Sequence, residues 1–405
     1  MKKIELFERH EDCCACGACL NSCPRQAITM QKDERGFLYP KIEEDKCIDC
    51  GLCREVCRFT QKTERLPSTA AYAVQAKEDV LLGRSASGGV FAMLAREIVQ
   101  KGGVAVGCAL THDGKGLVPH HIPITTVSEL DKLQGSKYVQ SHTDDIFCQV
   151  KRFLDEGKEV LFSGTPCQVD GLYGFLRGKE YPGLQTVDLI CHGTPSAAMF
   201  ADYLQCLEKR AGGAVVDFQF RDKSQGWGLN GRYTYMAEDG SKTLCTFPAQ
   251  KSSYYALFLA GEIYRDSCYV CKYACQTRPG DLTIGDFWGI HNQHPAVISS
   301  NGGPLFEEKG ISCVLVNTEK GQTLVNRMAE YATIIPTKIE HIAVENRQLN
   351  NPATHSKDRA KFLALYRDKG YAAMEKWFVR RRFFKKCMHK IWRLVTHGFS
   401  KNKVL

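Results

Sequence analysis

Residues 13–24 read CCACGACLNSCP, and residues 47–57 read CIDCGLCREVC. Each run has three cysteines separated by two residues, and a fourth cysteine follows three residues later. Three thiolates at this spacing wrap one 4Fe-4S cube, and the fourth cysteine of each run reaches the other cube. The predicted metal ligands are Cys13, Cys16, Cys19 and Cys57 for one cluster, and Cys47, Cys50, Cys53 and Cys23 for the other.

This spacing is that of a bacterial two-cluster ferredoxin. Gly17 and Gly51 suit the tight turns between ligands. Cys14 lies off the spacing and is interpreted as a bystander, and Arg58 stands where such a run usually has proline. A zinc module is the alternative, but zinc takes four ligands in two pairs and fits two quartets poorly. Clusters of this kind move single electrons, so the rest of the chain must supply a partner for them.

The composition describes an ordinary intracellular protein with an unusual number of thiols. The 405 residues predict two or three domains, and no window approaches the roughly 18 apolar residues of a membrane span. The opening MKKIELFERHEDC lacks the apolar region of a secretory signal. Twenty cysteines in such a chain indicate metal, cluster or catalysis rather than disulfides, because the cytosol keeps thiols reduced. We therefore expect a cytoplasmic protein.

The chain divides into four predicted segments of an α+β fold. Residues 1–62 form a small ferredoxin-type two-cluster domain, and the polar residues 63–70 form a linker. Residues 71–350 form a larger α/β domain, and residues 351–405 form a helical basic tail.

The stretch GRSASGGVFAMLAREIVQKGG, residues 83–103, predicts a helix over about 90–100 that ends before Gly102. Serines and glycines lead directly into that helix. Free N–H groups at an unobstructed helix N-terminus form a phosphate site. A plain capped helix is the better interpretation of this stretch when it is taken alone.

Two cysteines follow two predicted buried strands. Cys167 comes after EVLFSG (159–164), and Cys191 comes after LQTVDLI (184–190). In open α/β sheets, ligands bind at the carboxyl edge of the strands, so parallel strands would bring both cysteines together. Cys268 and Cys271 would complete a set of four for a third 4Fe-4S cluster.

Two alternatives to a third cluster stay open for these four cysteines, namely unrelated buried cysteines and a zinc knuckle. Cys275 is a spare ligand candidate. A radical enzyme that uses S-adenosylmethionine would space its cysteines by three residues and then two, and Cys268, Cys271 and Cys275 have the reverse order.

Five ordered motifs resemble the coenzyme F(420) hydrogenase/dehydrogenase beta-subunit family over about residues 70–350. They are SASGGVF (85–91), GSKYVQS (135–141), FSGTPCQVDGL (162–172), DLICHGTPS (188–196) and CYVCKYA with DLTIGDFWG (268–289). The resemblance implies FAD and 4Fe-4S cofactors, with Cys167, Cys191, Cys268 and Cys271 as cluster ligands and Cys275 outside the pattern. It also implies that the flavin is lined by Ser87, Gly88, Gly89, Ser136, Lys137 and Tyr138.

Three residues are candidates for catalysis. Lys137 would place a positive charge near the flavin, where it stabilises the reduced ring. His192 would donate a proton or hydrogen-bond a cluster sulfur, and Asp286 would be a site carboxylate. An ordinary surface lysine, a turn histidine and a turn-capping aspartate are the alternatives.

The basic charge is confined to the tail. Ten Lys and Arg residues and no acidic residue lie between Lys376 and Leu405, so the net charge of +9 belongs to this segment. The basic residues alternate with Trp377, Phe378, Phe383, Phe384, Ile391 and Trp392. Such a helix binds an anionic membrane surface or an acidic partner, or simply packs on its own protein. We expect no nucleic acid, because no binding fold accompanies the charge.

The sequence therefore predicts an iron–sulfur flavoprotein oxidoreductase that passes electrons between ferredoxin-type clusters and FAD. Its expected partners are a ferredoxin-like carrier and a deazaflavin or another small-molecule substrate. One alternative is a non-catalytic electron-transfer subunit of a larger complex. Another is a metal-loaded interaction module without redox turnover.

Overall fold

The computed structural model describes residues 5–61, 65 and 67–398, with side chains as far as Arg382. The helices are α1 Ala18–Ser22, α2 Leu52–Glu55, α3 Asp79–Arg84, α4 Val90–Gln100, α5 Leu130–Leu133, α6 Ile146–Asp155, α7 Pro166–Leu176, α8 Ala197–Ala211, α9 Ser253–Leu259, α10 Ile290–Gln293, α11 Glu319–Met328, α12 Ile339–Ala343 and α13 Arg359–Gly398. The strands are β1 Ile28–Lys32, β2 Leu38–Ile42, β3 Ala70–Ala76, β4 Val104–His112, β5 Leu117–Ile124, β6 Val160–Gly164, β7 Leu184–Leu189, β8 Ala214–Gln219, β9 Asn230–Met236, β10 Lys242–Pro248, β11 Leu282–Asp286, β12 Ser312–Val316 and β13 Ala332–Thr337.

The N-terminal module consists of the β1–β2 hairpin and the short helices α1 and α2. The hairpin is antiparallel and pairs Ile28 with Ile42. Each short helix begins after a glycine with positive φ, Gly17 at 84° and Gly51 at 75°. The expectation that these glycines make the turns between cysteines is confirmed, since other residues rarely adopt this conformation.

The main domain is built on an eight-stranded mixed sheet in the order β13-β3-β12-β11-β7-β6-β4-β5. Strands β4, β6, β7 and β11 run parallel, and antiparallel strands flank them on both sides. The apolar residues of β6 are fully buried, as expected for a strand covered by helices on both faces. Because β6 and β7 are parallel neighbours, Cys167 and Cys191 follow the same edge of the sheet, as predicted.

A second, three-stranded sheet has the order β10-β9-β8. It contains the hairpin that the Asp239-Gly240 pair predicts, with Met236 paired to Lys242. This hairpin lies outside the main sheet. Aromatic side chains on it and on β8, including Phe218 and Phe247, join a separate apolar core with α8 and α9.

Helix α13 covers most of the predicted tail and is broken at Gly370, where φ is 70°. Tyr371 and Met374 are buried in the core beside α8 and α9, and Trp377 packs edge-on against Phe362 at 4.6 Å. The tail therefore begins as part of the fold. Residues 399–405 lie outside the described residues, and the tail side chains that lie outside them include Phe383, Phe384, Lys385, Lys386, Lys390, Ile391, Trp392 and Arg393.

No helix within the described ranges combines the length and apolarity that crossing a bilayer requires. Part of the predicted linker, residues 63, 64 and 66, also lies outside the described residues. Its described portion contacts the main domain, because Arg65 pairs with Asp170 at 2.6 Å and the Ser68 hydroxyl bonds Asn317 Oδ1 at 2.6 Å.

Helix α7 holds the N-terminal module against the main sheet. A Cβ atom on Gly171 would lie 2.8 Å from Cys16 Sγ, and one on Gly174 would lie 2.2 Å from the Val56 carbonyl oxygen. The absence of side chains at these two positions therefore allows close approach. As a result, the helix that carries Cys167 in its first turn lies directly beside a cysteine of the module.

Candidate functional site

The eight module cysteines form two groups, each combining three residues of one run with the fourth of the other. The second quartet, Cys23, Cys47, Cys50 and Cys53, lines one cavity with about 370 Å³ of empty space, part of it open to solvent. In the first quartet, Cys13, Cys16, Cys19 and Cys57, burial raises the pKa of Cys13 to about 11 and that of Cys19 well above its usual value. Cys16 and Cys57 raise both pKa values further, so the four thiols are near neighbours.

Four cysteines of the main domain line one interior cavity with about 490 Å³ of empty space, part of it open to solvent. Cys167 lies in the first turn of α7, Cys191 follows β7, and Cys268 and Cys271 lie in the turn before β11. We call these four the interior group. Burial raises the pKa of Cys268 to about 11, that of Cys271 to about 12 and that of Cys191 well above its usual value.

The interior group surrounds empty space. Within the described ranges, no three His, Cys, Asp or Glu side chains converge closely enough to hold a single metal ion. Cys275 points elsewhere, because its thiol donates to the carbonyl oxygens of Lys272 at 3.4 Å and Thr277 at 3.3 Å.

Cys14 also lines the interior cavity and joins it to the first quartet. The neighbouring thiols of Cys16 and Cys167, together with burial, raise the pKa of Cys14 well above its usual value. The neighbouring Cys14 lowers the pKa of Cys16 and brings that of Cys167 to about 7. Cys14 therefore lies between the two cysteine groups, and its interpretation as a bystander to cluster binding stays a prediction.

A larger cleft with about 1550 Å³ of empty space, part of it open to solvent, lies on the other side of Cys167 and Cys191. It runs along the carboxyl edge of the parallel strands, where such sheets bind ligands. The residues named from the sequence that line this cleft are Ser87, Gly89, Ser136, Lys137, Tyr138, His192 and Asp286.

Gly88 lies one layer behind the cleft wall. Its N–H donates to Ser312 Oγ at 2.9 Å, and a Cβ atom at this position would lie 2.1 Å from the Val74 carbonyl oxygen. Ser87 lines the cleft while its hydroxyl donates to the Ile311 carbonyl at 2.9 Å. The serine–glycine loop is thus held against β3 and β12, and α4 begins directly after it.

Lys137 is held by backbone carbonyl groups at the end of α5. Its ammonium group donates to the carbonyl oxygens of Gln134 at 2.7 Å and Lys132 at 3.2 Å. Burial lowers its pKa to about 8. Lys137 is therefore a cation of the cleft wall that loses its proton more readily than a surface lysine.

His192 lies in the wall shared by the cleft and the interior cavity. Burial lowers its pKa, and the neighbouring Asp286 carboxylate partly offsets this effect. His121 also lines the cleft, and burial lowers its pKa to about 4. Both imidazoles are thus mainly neutral near pH 7.

Asp286 is paired with an arginine that sequence reasoning missed. Arg221 Nη1 donates to Asp286 Oδ2 at 2.6 Å and to Tyr138 Oη at 3.2 Å. The guanidinium lies 5.5 Å from the ring centroids of both Trp227 and Trp288, which stack at 4.4 Å. Asp286 Oδ1 and Arg221 Nε and Nη2 have no hydrogen-bond partner among the described residues.

Lys223 is a second missed residue on the same loop. Its ammonium group donates to the carbonyl oxygens of Leu82, Ser87 and Lys309 at 2.6–2.9 Å. Burial lowers its pKa to about 7. The segment RDKSQGW (221–227) between β8 and β9 carries two cationic residues and a tryptophan. This clustering of cationic and aromatic residues in one loop is the sequence signal that could have indicated both Arg221 and Lys223.

Two family models match the chain. The model for the C terminus of the coenzyme F420 hydrogenase/dehydrogenase beta subunit matches residues 157–341, and the 4Fe-4S dicluster domain model matches residues 12–60. The first match contains the interior group, and the second contains both quartets of the N-terminal module. The predicted resemblance is thereby confirmed.

The F subunit of the F(420)H(2) dehydrogenase from Methanosarcina mazei is 24% identical over 176 residues, which are 41% of this chain and 49% of the relative. The chain thus spans about half the length of that curated relative. The ketoisovalerate oxidoreductase subunit VorC of Methanothermobacter marburgensis is 34% identical over 59 residues, 14% of this chain and 75% of the relative.

Among solved structures, a chain of the xenon-derivatised F420-reducing [NiFe] hydrogenase complex from Methanosarcina barkeri aligns with a TM-score of 0.43 and 16% identity. The alignment covers 79% of this chain and 94% of that one. Residues 157–341 of this chain thus match the C terminus of the coenzyme F420 hydrogenase/dehydrogenase beta subunit, and residues 12–60 match a 4Fe-4S dicluster domain, with the cysteine groups inside these two matches.

Proposed function

We propose that this chain is an iron–sulfur flavoprotein oxidoreductase, in which the interior group holds a third 4Fe-4S cluster and the cleft holds FAD. One observation carries this proposal: Cys167, Cys191 and His192 line both the interior cavity and the cleft. A cluster on these cysteines would be separated from a ligand in the cleft by a single layer of side chains.

The interior group suits a cluster better than it suits free thiols. Burial raises the pKa values of Cys191, Cys268 and Cys271, so without a cation these thiols stay protonated near pH 7. Bound iron deprotonates its cysteine ligands because it supplies the missing positive charge. Four thiolates around one cavity meet the ligand requirement of a 4Fe-4S cube.

The cleft suits a flavin nucleotide. It lies at the carboxyl edge of the parallel strands, and α4 begins at its serine–glycine loop, where free N–H groups can bind a phosphate. Asp286 Oδ1, a polar atom of a cleft-lining residue without a partner among the described residues, can accept a hydrogen bond from a bound polar group or water. Clusters exchange single electrons and a flavin exchanges electron pairs, and this is the chemistry that the two cofactors would supply when bound.

The side chains of the cleft have separate proposed roles. Lys137 and its supporting carbonyl groups hold a positive charge at the wall, and Tyr138 is fixed by its bond from Arg221 and by stacking on Phe258 at 4.4 Å. His192, neutral near pH 7, is placed to exchange a proton with a substrate. Asp286 is oriented for the same purpose by Arg221.

The test is anaerobic purification followed by Cys271→Ala. We expect about twelve iron atoms per wild-type chain, with flavin absorption, and loss of about four iron atoms in the variant. The variant should keep the clusters of both quartets, but dithionite-reduced ferredoxin should no longer reduce its flavin. Cys275→Ala is the matched control, because its thiol points away from the cavity. Unchanged iron content and flavin reduction in Cys271→Ala would refute the proposal.

A non-catalytic electron-transfer subunit is the second candidate. The relatives are named as subunits, and this chain spans only about half of the dehydrogenase relative. For both candidates a ferredoxin-like carrier is the electron partner, and a deazaflavin or another small molecule is the substrate. Substrate turnover by the isolated chain would favour the enzyme, and turnover only after addition of a partner subunit would favour the second candidate.

A further inference from the structure

Arg265 is among the largest fully buried side chains of the described residues, at 1% exposure. Its guanidinium donates to Gln140 Oε1 at 3.0 Å, to the Cys13 carbonyl at 3.1 Å and to the Leu38 carbonyl. It also lies over the ring of Tyr39 at 4.3 Å. All of these partners are uncharged, although the guanidinium carries a permanent positive charge.

No carboxylate within the described ranges forms an ion pair with Arg265. The adjacent Asp266 is already paired with Arg35 at 2.8 Å and with Arg359 at 2.7 Å. A buried charge without a counter-charge is strongly unfavourable. The site around Arg265 therefore suits an anion beyond the protein's own side chains.

Arg265 lies between the first quartet and the interior group. Its backbone N–H donates to the Thr194 carbonyl at 2.9 Å, and its own carbonyl accepts from the Cys268 N–H at 3.0 Å. Its side chain reaches across to Cys13 in the module. Its main chain therefore contacts the interior group at Cys268, and its guanidinium contacts the first quartet at Cys13.

We propose that Arg265 is the shared counter-charge of the cluster in the first quartet and the cluster in the interior group, and that it raises both reduction potentials together. The inference rests on the proposed function for the interior cluster. Each reduction adds one electron and changes no bond, so a nearby fixed cation favours the reduced state of either cluster. Because both reduction potentials rise together, the difference in potential between the two clusters stays small.

The test uses the full chain with its clusters and measures each midpoint potential by redox titration followed by electron paramagnetic resonance. Arg265→Gln removes the charge, and we expect reduction of both clusters to become at least tenfold less favourable, about 59 mV for one electron. The second-quartet cluster should not move and serves as an internal control. Arg265→Lys keeps the charge and should leave all three potentials close to wild type.

A second variant covers the case in which Arg265→Gln fails to fold. Gln140→Glu places a carboxylate against the same guanidinium with little change of shape, so the same two potentials should fall. Unmoved potentials in an iron-replete variant, or an equal shift of all three clusters, would overturn the role of Arg265. A wild-type chain with about eight iron atoms would instead overturn the interior cluster and thus the proposed function.

Discussion

The two quartets of the N-terminal module have the same cysteine spacing and opposite surroundings. In the second quartet Cys50 is exposed, and the neighbouring Ile48 is 61% exposed. In the first quartet Cys16 lies against α7, and Cys14 lies beside both Cys16 and Cys167. The spacing thus indicates what each quartet binds, and the packing decides what each cluster can reach.

This difference implies a direction for the electron path. We expect a protein electron carrier to dock over the second quartet, because exposed Cys50 and Ile48 lie at the outer end of the module. The first quartet lies between that end and the interior group, and Arg265 and Cys14 fill the gap between them. If burial distinguishes the two quartets, the first quartet and its contacts with α7 should differ from the second quartet in thiol reactivity and in stability.

The largest expected difference is in thiol reactivity after anaerobic removal of iron. Since the pKa of Cys13 is raised to about 11, about one thousandth of it is thiolate near pH 8. Its alkylation should be about a thousandfold slower than that of an ionised exposed cysteine and should rise about tenfold per pH unit up to about pH 10. Exposed Cys50 should react first.

Peptide mass mapping of the alkylated chain measures both rates in one sample. Equal rates for Cys13 and Cys50 near pH 8 would contradict the difference in burial between the quartets.

The next expected difference is in the contribution of ion pairs to stability, and it concerns the two arginines that pair with Asp170 of α7. Asp170 is 1% exposed and binds Arg58 at 3.3 Å, Arg65 at 2.6 Å and the Tyr273 hydroxyl at 2.8 Å. Asp170→Asn leaves the partly exposed Arg58 and Arg65 without their carboxylate partner and weakens the hydrogen bonds around a buried side chain, so the free energy of unfolding should fall by about 2 kcal/mol. Urea denaturation of the iron-loaded chain measures this change.

The matched control is Glu55, which pairs with Arg177 at 3.0 Å while both side chains are more than half exposed. Glu55→Gln should lower the free energy of unfolding by less than about 1 kcal/mol, because water and salt screen exposed pairs. If Asp170→Asn and Glu55→Gln lowered the free energy of unfolding by similar amounts, the buried contacts of Asp170 would not stabilise the chain more than the exposed pair of Glu55.

The smallest expected effect concerns the close approach of α7 to the module. Gly174→Ala places a Cβ atom against the Val56 carbonyl, so overpacking should outweigh the gain in helix propensity and destabilise the chain by about 1–2 kcal/mol. Gly83→Ala in α3 is the control, because open space surrounds Gly83. This control should be neutral or stabilising by about 0.5 kcal/mol. A neutral Gly174→Ala in thermal unfolding would argue against tight contact there.

Much of the fold was predictable because its signals are local. The helix expected over about 90–100 is Val90–Gln100, and the strands expected at 159–164 and 184–190 are Val160–Gly164 and Leu184–Leu189. Buried parallel strands are continuous apolar runs, and the helices between them are bounded by glycine and serine. The gathering of Cys167 and Cys191 then followed from the general rule for the carboxyl edge of such sheets.

The missed residues have no local signal of this kind. Arg221 and Lys223 lie on a loop that folds back over the serine–glycine loop, so their partners Asp286 and Ser87 are far away along the chain. Gly88 was expected to line the cleft, but its environment is set by β3 and β12. These contacts depend on how the two sheets pack together.

The sequence by itself determined the ligand chemistry, because the cysteine spacing within each run is a property of one short stretch of backbone. It also determined the order of strands and helices, since apolar periodicity and glycine positions act over a few residues. Only the tertiary structure decided that Cys14 lies between two cysteine groups, that Arg265 is buried between them without a carboxylate partner among the described residues and that one quartet faces outward. The physical reason is that burial and charge environment depend on distant segments brought together by packing.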